Sequence, residues 1–250
     1  MLSKLELTLE NPYGKLDYNI SSLLQGALME QIRPEYAEVL HEGKLNPYSQ
    51  CVRFGKDKIV YTVNTLNKGA RGEIILPLLE NKLEKIHLRH KALEFKISSK
   101  LLVEKSYGEL IEETYLGGRG NYLEFDLYTP TAFKRGGKYH FYPDTELIFK
   151  NLIMRFDGCT TETTLYDEEL IQDIRDKTEI VNYDVRSARF HLEGIRIPGF
   201  VGRLGIRASG TKQFSNLLQL LIGFGEFAGV GIKTSIGMGA MKRVERKENR

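Results

Sequence analysis

One pattern constrains the fold more than any other in these 250 residues: a strand-and-helix order that runs once and then starts again. Leu2, Leu5, Leu7 and Leu9 alternate with polar residues and predict a first strand. Ser21 to Gln31 has helical spacing, with Ser21 or Ser22 expected as its cap. Pro34 is placed to open a second short helix, PEYAEVLH, ending near Gly43. SQCVRF and KIVYTVNTL read as strands around the hairpin signal Gly55-Lys56-Asp57-Lys58. A short helix from Pro77 to Lys85 and two strands between Ile86 and Glu113 complete the first round.

After Gly117-Gly118-Arg119-Gly120 the order resumes. YLEFDLYTP alternates as a strand, and TELIFKNLIMRF carries its apolar residues on one helical face. Asp167 to Val181 is charged and suits a surface helix. ARFHLEGIRIPGFVGRLGIRAS predicts two strands turning at Pro198-Gly199. Lys212 to Phe227 is helical, and GAMKRVE is a last strand. The expected class is α+β: two β-α-β-β-α-β units in tandem, 1–118 and 119–250.

Composition excludes several functions. No run of 18 or more apolar residues is present to span a membrane. Cys51 and Cys159 are the two cysteines, far apart, which argues against a disulfide framework or a zinc site and fits a reducing cytoplasm. The net charge of +3 permits a nucleic-acid partner without demanding one, although from Phe227 onward six Lys/Arg face two Glu.

GVGIKTSIGMGA, Gly229 to Ala240, is the segment with the most chemical content. It is no P-loop, because Ile232 rather than glycine precedes Lys233-Thr234. It is no dinucleotide fingerprint either, since it follows a helix and precedes a strand. Glycine lets backbone approach a partner, and successive exposed N–H groups can cradle an anion. Lys233 adds a point charge. RNA phosphate is a natural ligand for such a surface; a mobile connector is the alternative.

LIGFGEFAGVGIKTSIGMGAMKRV resembles the C-terminal glycine-rich signature of the RAMP superfamily, and more narrowly that of the CRISPR repeat-processing endoribonucleases. Three further stretches are similar to that family: LQGALMEQIRPEYAEVLHEGK, LYTPTAFKRGGKY and IPGFVGRLGIR. The resemblance implies tandem ferredoxin-like domains and cleavage within CRISPR repeat RNA. It also implies that no metal or cofactor is needed, and that 2′,3′-cyclic phosphate and 5′-OH ends are formed. It allows a homodimer and association with CRISPR effector subunits. The same signature occurs in non-catalytic RAMP subunits that hold guide RNA.

His41, at the end of PEYAEVLH, matches the family's active-site histidine, and an imidazole suits either proton transfer. Lys44, Tyr36 and Tyr48 are the candidate assistants. His87, His90, His140 and His191 fall in strand-like stretches and are expected to have structural or surface roles. RNA-binding candidates cluster near glycines: Lys134, Arg135, Arg203, Arg207, Gly229, Gly231, Lys233, Thr234, Gly237, Gly239, Lys242 and Arg243.

Overall fold

The structure, a computed structural model, describes residues 1–43, 45–80, 83–160 and 164–245, without the side chains of Glu80 and His90. In the first half, β1 (Leu2–Glu10) is followed by α1 (Ser21–Met29) and α2 (Pro34–Glu42). Strands β2 (Tyr48–Phe54) and β3 (Lys58–Thr65) come next, then a helical run over 68–80, then β4 (Lys85–Leu88) and β5 (Leu93–Lys105). The sheet is antiparallel in the order β2-β3-β1-β5-β4. Its apolar face is built by the β1 alternation: Leu5, Leu7 and Leu9 meet Leu24, Leu28 and Leu40 from the two helices.

The second half follows a similar order, with a hairpin added after its first strand and, among the described residues, no counterpart of β4. It contains β6 (Tyr122–Thr131), a small hairpin of β7 (Phe133–Arg135) and β8 (Lys138–His140), and helices Thr145–Cys159 and Glu168–Lys177. Then come β9 (Thr178–Leu192), β10 (Ile195–Ala208), the helix Lys212–Ala228 and β11 (Met241–Arg243). The main sheet runs β11-β6-β10-β9, all antiparallel. Phe125, Phe149, Leu152, Leu204 and Leu221 lie in its core.

A third apolar cluster joins the halves. Leu2, Leu66 and Leu110 pack against Phe156, Leu220, Phe224 and Phe227. Buried polar contacts reinforce the seam: Ser49 Oγ donates to the Phe227 carbonyl at 2.5 Å. Arg155 reaches the Tyr48 carbonyl at 3.5 Å, and burial pushes its guanidinium down to about 10.

Four expectations change. The Pro198-Gly199 pair lies inside β10; the reversal is at Glu193 (φ 49°) and Gly194 (φ 81°), a geometry suited to a two-residue hairpin. Gly199 sits in mid-strand because a Cβ there would stand 2.9 Å from the Thr131 carbonyl oxygen. The helix expected at Pro77 begins at Lys68 instead, capped by Asn67, and a widened turn (Arg71–Ile75) precedes the proline, which cannot donate a helical hydrogen bond. Neither Ser21 nor Ser22 caps α1; Asp17 caps a tight turn (Tyr18–Ile20) that leads directly into it. A helical run over 107–116, opened by a Ser106–Glu109 capping box, was not anticipated.

Candidate RNA-processing site

α2 ends at Glu42, which places His41 in its last turn, exposed on the rim of a cleft of about 730 Å³. α1 lines this cleft through Ser22, Gln25, Gly26 and Met29. Asn46 and Tyr48 enter from the chain leading into β2, and Lys233, Ser235 and Ile236 come from the glycine-rich segment. Leu192 and Glu193, at the tip of the β9–β10 hairpin, line it as well. That tip is held by Tyr18, whose hydroxyl donates to the Arg189 carbonyl, and by Asn19, whose side chain accepts from the His191 N–H at 2.8 Å. Residues almost two hundred positions apart thus share one wall.

The base of the cleft is a polar knot. Tyr48 is buried, with its phenol hydrogen-bonded to Gln25 and Ser235, and Asn46 Nδ2 donates to Ser235 Oγ at 3.2 Å. Burial pushes the Tyr48 phenol above its ordinary range against the opposite pull of these two hydrogen bonds. Tyr48 therefore keeps its proton at physiological pH.

The other assistants fare differently. Tyr36 is half-buried against the first-half core and does not line the cleft; burial, then Glu73, raises its phenol. Lys44 lies outside the described residues. His87, expected in a structural or surface role, is exposed on β4 and lines the cleft with Arg89, with Nδ1 3.2 Å from Glu94. His140 is tucked under Tyr142, and His191 is exposed on β9; the side chain of His90 is not described. The sequence reading missed Gln25, Asn46 and Ser235, which carry no motif and meet only once the halves close.

The expected row of free amides turns inward. The N–H of Val230 donates to Gly239, that of Ile232 to Ala132, that of Gly231 to the Asn151 side chain, and that of Gly239 to Pro130. Gly229, Gly231, Gly237 and Gly239 all have positive φ and are buried. A Cβ on Gly231 would lie 2.4 Å from the Ala132 carbonyl oxygen, and one on Gly237 2.3 Å from the Ser21 Cβ. Thr234 is buried, its methyl against Gly229. Lys233 is the exposed side chain of the segment, itself in the left-handed region at φ 57°.

The remaining cations do not converge on the cleft. Lys134 and Arg135 are exposed on the β7–β8 hairpin. Arg203 makes a two-point ion pair with Asp126 on the neighbouring strand, at 2.7 and 2.9 Å. Arg207 is exposed on β10. Lys242 borders a small cavity of about 110 Å³ between the sheets, among Lys4, Glu6, Arg53 and Glu226. Arg243 folds inward, donating to the Gln219 carbonyl, and burial lowers its guanidinium.

The mixed α/β fold is shared with a solved RAMP protein described as binding different RNA substrates, which superposes with a TM-score of 0.60 at 18% identity, covering 97% of this chain and all of that one. Comparisons of sequence fix the family. The family model for CRISPR-associated endoribonuclease Cas6 matches residues 125–241. The Cas6 endoribonuclease of Mycobacterium tuberculosis is 31% identical over 245 residues, 96% of this chain and 78% of the relative. That of Streptococcus thermophilus is 30% identical over 239 residues, 94% and 97% of the two chains. This chain belongs to the Cas6 family of CRISPR-associated endoribonucleases. Thermus thermophilus Cas6 shares the fold with a TM-score of 0.77 at 22% identity over 98% of both chains, and a Cas6 product complex with 0.82 at 22% identity over 98% and 99%.

Proposed function

We propose that the protein is an endoribonuclease that cuts CRISPR precursor RNA within its repeats without a metal ion, releasing guide RNAs. In this reading it is built from two ferredoxin-like domains, 1–118 and 119–250. The observation that carries the reading is the shared cleft, where His41 from the first half stands with Lys233 from the second. The connectivity and strand order of both sheets support the domain assignment.

The chemistry follows from the groups present. The 2′-oxygen attacks the adjacent phosphorus, the O2′–P bond forms and the P–O5′ bond breaks. One proton leaves the 2′-OH and one reaches the 5′-oxygen, giving a 2′,3′-cyclic phosphate and a 5′-OH. His41 serves one of these two transfers, worth roughly 10²–10⁴-fold in rate, and solvent water exchanges the other proton. Lys233 supplies positive charge to the phosphate as negative charge builds on it. Tyr48, its phenol protonated, anchors the floor of the cleft through Gln25 and Ser235. Tyr36 and Lys44 fill supporting roles in this proposal, Tyr36 through packing of α2.

Incubation with repeat RNA in EDTA, followed by end-group analysis, tests the reading. Cyclic phosphate and 5′-OH ends are expected. Cleavage that requires added Mg²⁺, or that leaves 5′-phosphate ends, would overturn it.

A further inference from the structure

Outside the cleft, the chain exposes aromatic side chains where it also concentrates cations. Tyr139, Phe141 and Tyr142 are 38%, 43% and 59% exposed, three large rings within four residues. Single exposed rings are ordinary on a protein surface, but a contiguous group rimmed by polar residues marks a contact site. Here the rim is basic. Lys134 pairs directly with Tyr139 across the β7–β8 ladder, so cation and ring share a face, and Arg135 pairs with Lys138. The nearby acids are already engaged: Asp144 caps the following helix, accepting from the Leu147 N–H at 3.0 Å with its other oxygen 3.7 Å from His140 Nε2, and Glu146 pairs with Arg175 at 2.9 Å.

The hairpin is also rigidly mounted. Phe133 is buried at its root, and the Ala132 carbonyl accepts from the Ile232 N–H at 2.9 Å. That bond ties the root of the hairpin to the residue preceding Lys233. The hairpin root is thus one backbone hydrogen bond from the segment that carries Lys233 to the cleft. Its tip, Gly136-Gly137, has open space around it, with no atom within 4 Å of an added Cβ at either position.

We propose that the β7–β8 hairpin and the aromatic run behind it form a stacking platform for single-stranded RNA. The rings take base faces, and Lys134, Arg135 and Lys138 take phosphates. Every base presents a π-face, so such a platform tolerates sequence and suits the unpaired flank of a longer RNA. The proposal rests on the RNA-processing reading and extends it to a second region of the surface.

The probe is a fluorescein-labelled 12-nucleotide oligouridine, titrated by anisotropy at several salt concentrations. Tyr139→Ala/Phe141→Ala/Tyr142→Ala should weaken binding about tenfold or more and leave the slope of log affinity against log salt unchanged. Lys134→Ala/Arg135→Ala/Lys138→Ala should flatten that slope by about 0.7 for each phosphate no longer neutralised. Tyr142→Ala, the most exposed of the positions, gives the same direction with a smaller loss if the triple variant fails to fold. Wild-type affinity in the aromatic variants would overturn the platform. So would a change in oligomeric state with RNA affinity intact, which would assign the rings to a protein interface. Cleavage of repeat RNA by the wild type keeps the two readings apart: a protein that cuts repeats but does not hold oligouridine refutes the platform alone. One that holds oligouridine but never cuts repeats refutes the nuclease reading alone.

Discussion

Two glycine-rich, basic segments of this molecule look alike on paper and do opposite things. Around Gly229–Gly239 the glycines are buried, and neighbouring backbone or the Ser21 and Thr234 side chains occupy the space a side chain would need. In the β7–β8 turn, Gly136 and Gly137 have φ values of 56° and 80° with nothing near them. The first segment uses glycine to let three pieces of chain pass at close range: α1, the end of β6 and the return into β11. The second uses it only to turn. Glycine content alone therefore does not separate a packing device from an exposed loop; the destination of each N–H does.

Substitution sharpens that contrast. Gly239→Ala should have the largest effect, because its Cβ would fall 1.9 Å from the Val230 carbonyl oxygen at a φ of 69°. A loss of about 3 kcal/mol or more in urea unfolding is expected, from strain and forced displacement together. Gly137→Ala meets no neighbour and should cost about 1–2 kcal/mol, the penalty of the left-handed region alone. Equal losses at the two positions would break the comparison. Lys233→Glu should leave the unfolding midpoint close to that of the wild type, since the side chain projects into the cleft. It should weaken RNA binding and flatten its salt dependence by about 0.7–0.9 for the one phosphate it no longer neutralises. A destabilised protein with an unchanged salt slope would return Lys233 to a structural role.

Much of this architecture was legible in the chain itself. The β1 alternation, the Pro34 start of α2 and the apolar stripe of the Lys212–Ala228 helix each reflect local spacing, and each stands where expected. The Glu193-Gly194 reversal was hidden by the stronger-looking Pro198-Gly199 pair, because a strand can carry that pair where a neighbouring backbone approaches closely. Pro77 drew attention away from Asn67, the true start of its helix. In the site, His41 and Lys233 stood out from residue type and resemblance. Gln25 and Ser235 did not, because their meeting at the Tyr48 phenol is a product of tertiary packing that no local pattern encodes. The inward turn of the glycine-rich amides was equally invisible, since acceptors such as Pro130 and Ala132 lie a hundred residues away.

The central claim is that an imidazole at the end of α2 moves a proton in the cleavage step. Single-turnover cleavage of repeat RNA by His41→Ala, at saturating protein and in EDTA, addresses it most directly. The account predicts a rate lowered by roughly 10²–10⁴-fold with repeat binding retained. Cleavage at the wild-type rate would contradict it.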